Sequence, residues 1–442
     1  MSQLPRYESY KDSGVQWLGV IPSHWNTMAV RRILEEHRQG YYTNEPYIEN
    51  GVKLARITDI QSTSEIDLDN SPCVENKAEL KEFFLQENDF LFARTGGAGS
   101  FGIVRQKDLP AVYASYLIRF RFKEAVEAEY LKFFFKSSYF LNSLVANIHG
   151  GVNQNIHAED IKSTFLALPP IEEQKKIANF LNAKIEKVNI LIAKQETLLE
   201  KLAEQRVALI SHAVTKGLNP DVEMKESGVE WLGQMPKHWT RTNIKYYYNV
   251  QLGKMLQPEA KSFEDVGTKY LKAQHVQWEK IYTENLPEMW CNSKELDKYA
   301  VNNGDLLICE GGEVGRCGIL NTLNEPAIIQ NALHRVRSTH RADVKYLNYF
   351  IQHTAQSDWF SIICNKATIA HFTSEKLLAL PTLIPPLDEQ KNIIDFLDKE
   401  TQKINNMVKK VHQTINTLRE YRSTLITQVV TGKIDVRNLK VN

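Results

Sequence analysis

The most restrictive feature of the sequence is that its first half recurs in its second half. The segment Lys11–Trp25, KDSGVQWLGVIPSHW, returns as Lys225–Trp239, KESGVEWLGQMPKHW, at an offset of 214 residues. A second pair, LPPIEEQKKIANFL from Leu168 and IPPLDEQKNIIDFL from Ile384, lies 216 residues apart. Self-similarity at a fixed period over a whole chain indicates an internal duplication. The fold must therefore accommodate two copies of one scaffold.

The copies agree only at anchor positions. At the second offset, Asp89 aligns with Asp305, and the glycines of GGAGSFG align with those of GGEVGRCG. Between the anchors the copies differ, as RITDIQSTSE from Arg56 and KAQHVQWEKI from Lys272 illustrate. We interpret the sequence as one repeated scaffold that carries two divergent inserts.

Each insert predicts an α/β module. NDFLFAR and GDLLICE predict strands that enter a glycine-rich loop, and YLKFFFKSSYFLNSLV and YLNYFIQH predict amphipathic helices. The loops have GxxGxxG spacing, for which a tight turn between strands and a nucleotide-binding loop are the alternatives. Because neither loop contains GxxxxGK[ST], the turn is favoured.

Each copy then continues into a long polar stretch without glycine or proline, which indicates a helix, the first from Glu172 to about Thr215. A step of seven residues traces an apolar stripe along both helices. A heptad stripe needs a partner, so we predict that the two helices pair as an antiparallel coiled coil; packing of each stripe on its own domain is the alternative. The predicted seam residues are Leu181, Val188, Leu191, Leu198, Leu202, Leu209, Leu397, Ile404, Val411, Leu418 and Leu425.

Composition and missing motifs exclude several classes of protein. No stretch approaches the roughly 20 apolar residues of a membrane span, and the N-terminus does not resemble a signal peptide, so we expect a cytoplasmic protein. The net charge of +1 leaves nucleic-acid binding open. The five cysteines form no CxxC pair, and HExxH, GxSxG and Asn-Pro-Pro-aromatic motifs are missing. We expect no catalytic residues and no metal site.

The two Pro-Pro motifs, each ahead of a heptad helix that ends in ALISHAVTKG or TLITQVVTGK, and the doubled SGVxWLGxxPxHW signature resemble the specificity subunit of type I restriction-modification enzymes. The resemblance covers essentially the whole chain. It implies two target recognition domains that each read half of a split double-stranded DNA sequence, with helical regions between them. It also implies two methyltransferase subunits, which use S-adenosylmethionine, and motor and nuclease subunits as partners, with no cofactor on this chain.

On this interpretation the chain has seven segments. They are the signature 1–25, the first recognition domain 26–170, the central helix 171–217, a linker with the repeated signature 218–239, the second recognition domain 240–386, the distal helix 387–431 and the tail 432–442. Joined to the N-terminus, the C-terminal VTGKIDVRNLKVN would resemble the central VTKGLNPDVEMKESGVEWLG. The sequence therefore resembles a pseudo-two-fold ring that is cut at one point.

The signature tryptophans Trp17, Trp25, Trp231 and Trp239 are expected to pack the signature turn against the adjoining domain or helix. Docking of the methyltransferase subunits is the alternative role for these side chains.

DNA contacts require Arg, Lys, Asn, Gln or similar side chains. The candidates in the first insert are Lys53, Arg56, Arg94, Arg105, Asn153, Gln154 and Asn155. The candidates in the second insert are Lys269, Lys272, Gln274, His275, Arg316, Lys366, Thr368 and His371. For each, a surface polar group without a DNA contact is the alternative. The turns GGVNQNIH and KATIAHFT lie at matching places before the Pro-Pro motifs, where a structural turn explains them nearly as well.

The sequence as a whole predicts a non-catalytic DNA sequence-recognition subunit. A duplicated coiled-coil adaptor that scaffolds other proteins without reading DNA is the alternative. A self-contained methyltransferase or nuclease is disfavoured by the missing motifs.

Overall fold

The structure, a computed structural model, describes residues 4–95, 99–147, 155–278, 280–339, 341–357, 359 and 371–439. The chain divides into two compact units. Unit 1 comprises Met1–Gln195 and His412–Asn442, and unit 2 comprises Glu196–Val411. None of the helices in the described ranges is long and apolar enough to cross a membrane.

Unit 1 is built from short strands and four helical segments. Its strands are β1 Tyr10–Asp12, β2 Val20–Pro22, β3 Asn26–Ala29, β4 Leu34–Gln39, β5 Val52–Ala55, β6 Cys73–Val74, β7 Phe90–Ala93, β8 Phe101–Ile103, β9 Ala111–Tyr113, β10 Leu117–Phe122 and β11 Phe165–Leu168. Its helices are α1 Ala128–Lys136, α2 Ser138–Asn147, α3 Ala158–Ser163 and the first part of α4, Ile171–Lys216.

Unit 2 repeats this order of elements with additional strands. Its strands are β12 Met224–Glu226, β13 Gln234–Pro236, β14 Thr240–Asn243, β15 Tyr248–Leu252, β16 Val266–Leu271, β17 Val276–Gln277, β18 Lys280–Ile281, β19 Glu288–Cys291, β20 Ala300–Val301, β21 Leu306–Cys309, β22 Cys317–Ile319, β23 Ala327–Ile329, β24 Leu333–Ser338 and β25 Pro381–Ile384. Its helices are α5 Ser293–Tyr299, α6 Val344–Gln356, α7 Ser374–Ala379 and the first part of α8, Leu387–Val430.

Both units contain the same four-stranded sheet. Its strand order is β4-β10-β7-β8 in unit 1 and β15-β24-β21-β22 in unit 2, with antiparallel neighbours. A second sheet holds one parallel pair, β5 with β9 and β16 with β23. The predicted strands NDFLFAR and GDLLICE are confirmed as β7 and β21, and each glycine-rich segment connects two antiparallel strands. The predicted YLKFFFKSSYFLNSLV helix is two helices, α1 and α2, which are interrupted at Ser137.

An ion pair recurs in both sheets. Asp89 Oδ2 accepts a hydrogen bond from Arg121 Nη2 at 2.7 Å, and Asp305 Oδ2 accepts one from Arg337 Nη2 at 2.7 Å. Both aspartates are almost fully buried. A buried carboxylate is tolerated only when it is paired and hydrogen-bonded, so the arginine two residues into the repeated LxR pattern compensates it.

Each signature folds as a β-hairpin. β1 pairs with β2, and β12 pairs with β13. Gly14 and Gly228, both with φ +72°, form matching corners in the left-handed conformation, which glycine adopts without steric cost. Trp25 and Trp239 are buried, as expected. The expectation for Trp17 is wrong, because this side chain is 77% exposed.

The counterpart of Trp17 in unit 2 is covered by an aromatic cluster. The Trp231 ring lies 5.7 Å from the Trp359 ring and 6.0 Å from the His353 ring. The repeated signature therefore does not give the two tryptophans the same environment.

The signature also holds the start of each long helix. His24 Nε2 lies 2.7 Å from Glu173 Oε2, and His238 Nε2 lies 2.7 Å from Glu389 Oε2. In unit 1, Glu173 Oε1 also accepts hydrogen bonds from the Tyr7 hydroxyl at 2.7 Å and the Trp25 indole at 3.1 Å. The histidine of the signature and the glutamate after the Pro-Pro pair thus recur together because they bind each other.

The glutamine of each Pro-Pro motif ties three backbone segments together. Gln174 Nε2 donates to Pro169 O at 2.8 Å, and its Oε1 accepts from Glu127 N at 2.9 Å. Gln390 makes the same two bonds in unit 2, to Pro385 O at 2.8 Å and from Asp343 N at 2.8 Å. Each glutamine thereby links its long helix to the helix that covers the sheet, α1 or α6.

The long helices bury a stripe whose members alternate in steps of four and three residues. In α4 the buried stripe residues are Leu181, Val188, Ile192 and Leu202, and in α8 they are Leu397, Ile404, Val411, Ile415 and Leu425. Leu209 and Leu418 are partly buried. The prediction for Leu191 and Leu198 is wrong: they are 46% and 40% exposed. Three residues after Val188 the helix has turned to the other side of the stripe, so Ile192, four residues after it, takes the buried position.

In unit 1 the C-terminal tail closes on the N-terminal segment. Asp435 N donates to Pro5 O at 2.8 Å, and Lys433 Nζ donates to Leu18 O at 3.1 Å. The Arg437 guanidinium lies 4.9 Å from the centre of the Tyr7 ring. These contacts join the two ends of the chain.

Candidate nucleic-acid interface

Four loops of unit 1 meet at one edge, and backbone hydrogen bonds fix their positions. Ala114 N donates to Ala55 O, Arg94 N donates to Tyr116 O, and Ile156 N donates to Arg94 O, at 2.9 to 3.0 Å. The side chains at these junctions define what we call the first rim: Arg56, Arg94, Tyr116 and Asn155. The first rim combines two guanidinium groups, a phenol and an amide.

Unit 2 has the same backbone bonds at the offset of 216 residues. Gln330 N donates to Leu271 O at 2.9 Å, Glu310 N donates to Ala332 O at 3.0 Å, and Phe372 N donates to Glu310 O at 2.7 Å. The residues at these junctions define the second rim: Lys272, Glu310, Ala332 and His371. The two rims thus share a backbone frame but carry different side chains.

A short 3₁₀ turn sets the start of each rim. Arg56 precedes the turn Ile57–Asp59, and Lys272 precedes the turn Ala273–His275. Asp59 Oδ2 accepts from Arg56 N at 2.8 Å, whereas His275 Nδ1 accepts from Lys272 N at 3.1 Å. Burial and the charge of Lys272 lower the pKa of His275, so the imidazole is neutral at pH 7 and can accept this bond.

A close backbone approach holds a fifth loop beside each rim. Tyr41 N donates to Tyr113 O at 2.8 Å, and Lys254 N donates to Ile329 O at 2.8 Å. A Cβ at the preceding Gly40 would collide with the Ala114 carbonyl. Gly253 stands in the same relation to the Gln330 carbonyl. These two positions require glycine.

The first rim gathers three of the residues that the sequence analysis singled out. Arg56 Nη2 lies 3.3 Å from Asp59 Oδ1 and remains 38% exposed. Arg94 makes no side-chain hydrogen bond or ion pair with the described residues, and Asn155 is exposed.

Two other predicted residues of unit 1 have structural partners. Lys53 Nζ donates to Asp69 O and Ser71 O, both at 3.2 Å. Arg105 pairs with Glu129. Burial alone would raise the pKa of Glu129, but Lys132 and Arg105 together lower it to about 2. Neither Lys53 nor Arg105 belongs to the first rim.

In unit 2 the predicted residues divide in the same way. Lys272 and His371 lie at the second rim, and Gln274 is exposed on the adjoining turn. The others have partners: Lys269 Nζ lies 2.9 Å from Glu288 Oε1, the buried His275 caps its turn, and Arg316 binds Glu313 Oε2 at 3.2 Å and Ala273 O at 2.9 Å. The predicted Asn153, Gln154, Lys366 and Thr368 lie outside the described residues.

Sequence reasoning missed several rim residues. Tyr116 and Glu310 belong to the rims, and the exposed Tyr42 and Met255 stand on the fifth loops. The offset of 216 residues could have found Glu310, because it aligns with Arg94, but an acidic residue did not fit a search for DNA-binding side chains. Tyr42 and Met255 follow an insertion that interrupts the alignment, so no signal in the sequence marked them.

The rims offer hydrogen-bonding chemistry at the edge of a rigid frame. Guanidinium, amide and carboxylate groups on fixed loops can each pair with the edges of bases, and lysine and arginine can bind phosphates. Because the frame is the same and the side chains differ, the two rims would select different sequences.

The comparisons with known proteins bear on both units. A family model of the type I restriction modification DNA specificity domain matches residues 22–201 and 261–417. The putative type I restriction enzyme MjaX specificity subunit of Methanocaldococcus jannaschii is 23% identical over 98% of this chain and 99% of its own length. The type I restriction enzyme EcoKI specificity subunit of Escherichia coli K12 is 20% identical over 94% of this chain and 90% of its own length.

Solved structures show the same fold. One chain, from work on complex assembly and conformational transition of the type I R-M system, superposes with a TM-score of 0.74 at 17% identity and covers 93% of this chain and 98% of its own. The HsdS subunit from Thermoanaerobacter tengcongensis superposes with a TM-score of 0.58 at 17% identity, covering 94% and 98%. With more than half of its residues matched by the family model, and its mixed helix and strand fold shared with these structures, the chain belongs to the type I restriction modification DNA specificity family.

Proposed function

We propose that this chain is the DNA sequence-specificity subunit of a type I restriction-modification complex, in which each recognition domain reads one half of a bipartite, asymmetric site. The observation that carries the proposal is the pair of rims, which repeat one backbone frame with different side chains. Two readers of this kind call for two unlike half-sites. The subunit itself is non-catalytic, in keeping with the specificity role for which its relatives are named.

The finer architecture that we propose is a pseudo-two-fold chain whose long helices form an antiparallel coiled coil. Early α4 residues such as Leu181 share a core with late α8 residues such as Leu425 in unit 1. In unit 2, late α4 residues such as Ile210 share a core with early α8 residues such as Leu397. This early-with-late pairing supports the antiparallel direction, and the steps of four and three support heptad packing.

The proposed partners follow from the family. Double-stranded DNA binds the recognition domains, two methyltransferase subunits dock on the helices, and motor and nuclease subunits complete the complex. The helices set the spacing between the half-sites. S-adenosylmethionine is bound by the methyltransferase subunits, not by this chain. The adaptor alternative is not favoured, because the family model describes a DNA specificity domain.

Methylome sequencing of the host, with and without this gene, tests the proposal. We expect one bipartite motif with unlike halves to lose its methylation when the gene is deleted and to regain it when the gene is restored. An identical set of methylated motifs in both strains would overturn the proposal.

A further inference from the structure

Arg94 and Glu310 occupy the same place in the two rims. The backbone N–H of each residue donates to the turn before the next long strand of the sheet, at Tyr116 O and Ala332 O, both at 3.0 Å. The carbonyl of each accepts from the segment before the Pro-Pro motif, from Ile156 N and Phe372 N. Both residues directly follow the central strand of a four-stranded sheet, β7 or β21, so their positions are fixed on both sides.

The two side chains carry opposite charges, and both are only partly buried. Within the described ranges neither makes a hydrogen bond or an ion pair. The charge of Glu310 acts on His334, but burial lowers the pKa of that histidine, so it is neutral at pH 7 and does not compensate the carboxylate. Removing an ionised group from water without a partner is costly, so both positions favour a partner from outside the chain.

Glu310 restricts what that partner can be. A carboxylate repels phosphates, so Glu310 cannot serve as a backbone contact to DNA. At a base edge in the major groove, a carboxylate accepts a hydrogen bond from the cytosine N4 amino group, while an arginine donates two to guanine O6 and N7. The backbone around Glu310 is also accessible, since Gly311 and Gly312 follow it and a Cβ at Gly312 would meet nothing within 4 Å.

We infer that Arg94 and Glu310 are specificity-determining residues at equivalent positions: Arg94 reads a guanine in one half-site, and Glu310 reads a cytosine in the other. The inference rests on the proposed function. It assigns one base to each recognition domain through a single exchange of charge on a shared frame.

Methylomes of cells that express the chain with its methyltransferase subunits, carrying Glu310→Gln or Arg94→Gln, test the inference. We expect Glu310→Gln to change one cytosine position of one half-site toward adenine, because an amide pairs with adenine N6 and N7, and to leave the other half-site unaltered. Arg94→Gln should change one guanine position of the other half-site. Methylation of the original base should fall roughly ten- to a hundredfold relative to the wild-type complex.

Glu375→Gln, at an exposed glutamate in α7, is the matched control and should leave the motif unchanged. Melting temperatures of the variants separate loss of folding from loss of readout; for a variant that does not fold, Glu310→Asp or Arg94→Lys replaces it in the same assay. If folded variants methylate the wild-type motif with wild-type efficiency, the inference is wrong while the proposed function stands. If the wild-type complex itself methylates no defined motif, the proposed function fails first.

Discussion

The Arg422 guanidinium donates a hydrogen bond to the side-chain oxygen of Asn189, 2.7 Å away and 233 positions earlier in the chain. In unit 2 the equivalent pair, Arg206 and Asn405, is joined at 3.4 Å. Both arginines occupy positions of the helix stripe where an apolar residue would be usual. Each bond connects α4 with α8 inside one unit, so it specifies which helical turns face each other.

The stripe position at Leu202 is expected to carry more stability than its exposed neighbour Leu198. Leu202→Asp places an unpaired carboxylate in the buried stripe and should lower the free energy of unfolding by about 3–5 kcal/mol. Leu198→Asp, in the same helix and the same unit, should change it by less than about 0.5 kcal/mol. Urea unfolding measures both, and equal effects of the two substitutions would contradict the observed register.

The two signature clamps are expected to differ in strength. The Glu173 side chain is 8% exposed and accepts hydrogen bonds from a phenol and an indole besides its contact with His24, whereas Glu389 is 27% exposed and contacts His238. Glu173→Gln should therefore cost about 1–3 kcal/mol and Glu389→Gln less than about 1 kcal/mol. Thermal melting of the two variants makes the comparison, and a larger loss for Glu389→Gln would refute it.

The contacts between the chain ends predict that the chain tolerates circular permutation. Joining the termini by a short glycine-serine linker and opening the chain between Asn219 and Pro220, both exposed, should give a protein that directs methylation of the same motif. Opening the joined chain inside α4, between Leu202 and Ala203, should abolish folding. A permutant opened at Asn219 that fails to methylate would contradict the functional closure of the ends.

Lys272 is expected to contribute to phosphate binding. Lys272→Ala should weaken binding of the assembled complex to all DNA sequences and reduce the slope of log affinity against log salt by about 1. Lys53→Ala is the comparison, because its ammonium group already donates to two backbone carbonyls. The salt slope should persist in Lys53→Ala, and an unchanged slope in Lys272→Ala would remove this residue from the interface.

His353 is expected to make folding stability depend on pH. Burial lowers the pKa of His353 to about 4, whereas an unfolded histidine titrates near 6.5. The unfolded state therefore binds more protons between these values, and stability falls as the pH drops from about 6.5 to 4, by at most about 1.4 kcal/mol per pH unit from this group. His353→Phe should flatten that dependence in urea unfolding at pH 7 and pH 4.5. A slope equal to that of the wild-type protein would show that another group is responsible.

The sequence predicted the duplication, the strands around the glycine loops and the long helices, because these depend on periodicity and spacing. The helix stripe was correct at Leu181, Val188 and Leu202 but wrong at Leu191 and Leu198. A step of seven identifies a stripe without saying whether its second member comes three or four residues later, and only the observed packing decides this.

The candidate site was harder to predict, because residue type does not reveal pairing. Arg105 and Arg94 are equivalent in a sequence search, yet Arg105 binds Glu129, which lies 24 residues away, and Arg94 stands at the rim. Glu310 was missed for the opposite reason, since its importance comes from its position on a backbone frame that it shares with an arginine. Which side chains converge depended on pairings between distant strands.

The division of the long helices between the units has a consequence for synthesis on the ribosome. Unit 2 is one continuous stretch, Glu196–Val411, and all of its residues exist once Val411 has emerged. Unit 1 begins at the N-terminus, but its core includes Leu425, Val429 and Val430, which are made almost last. The half of the protein that is encoded first must therefore wait for the final residues, and the half encoded second is the first that can complete its fold.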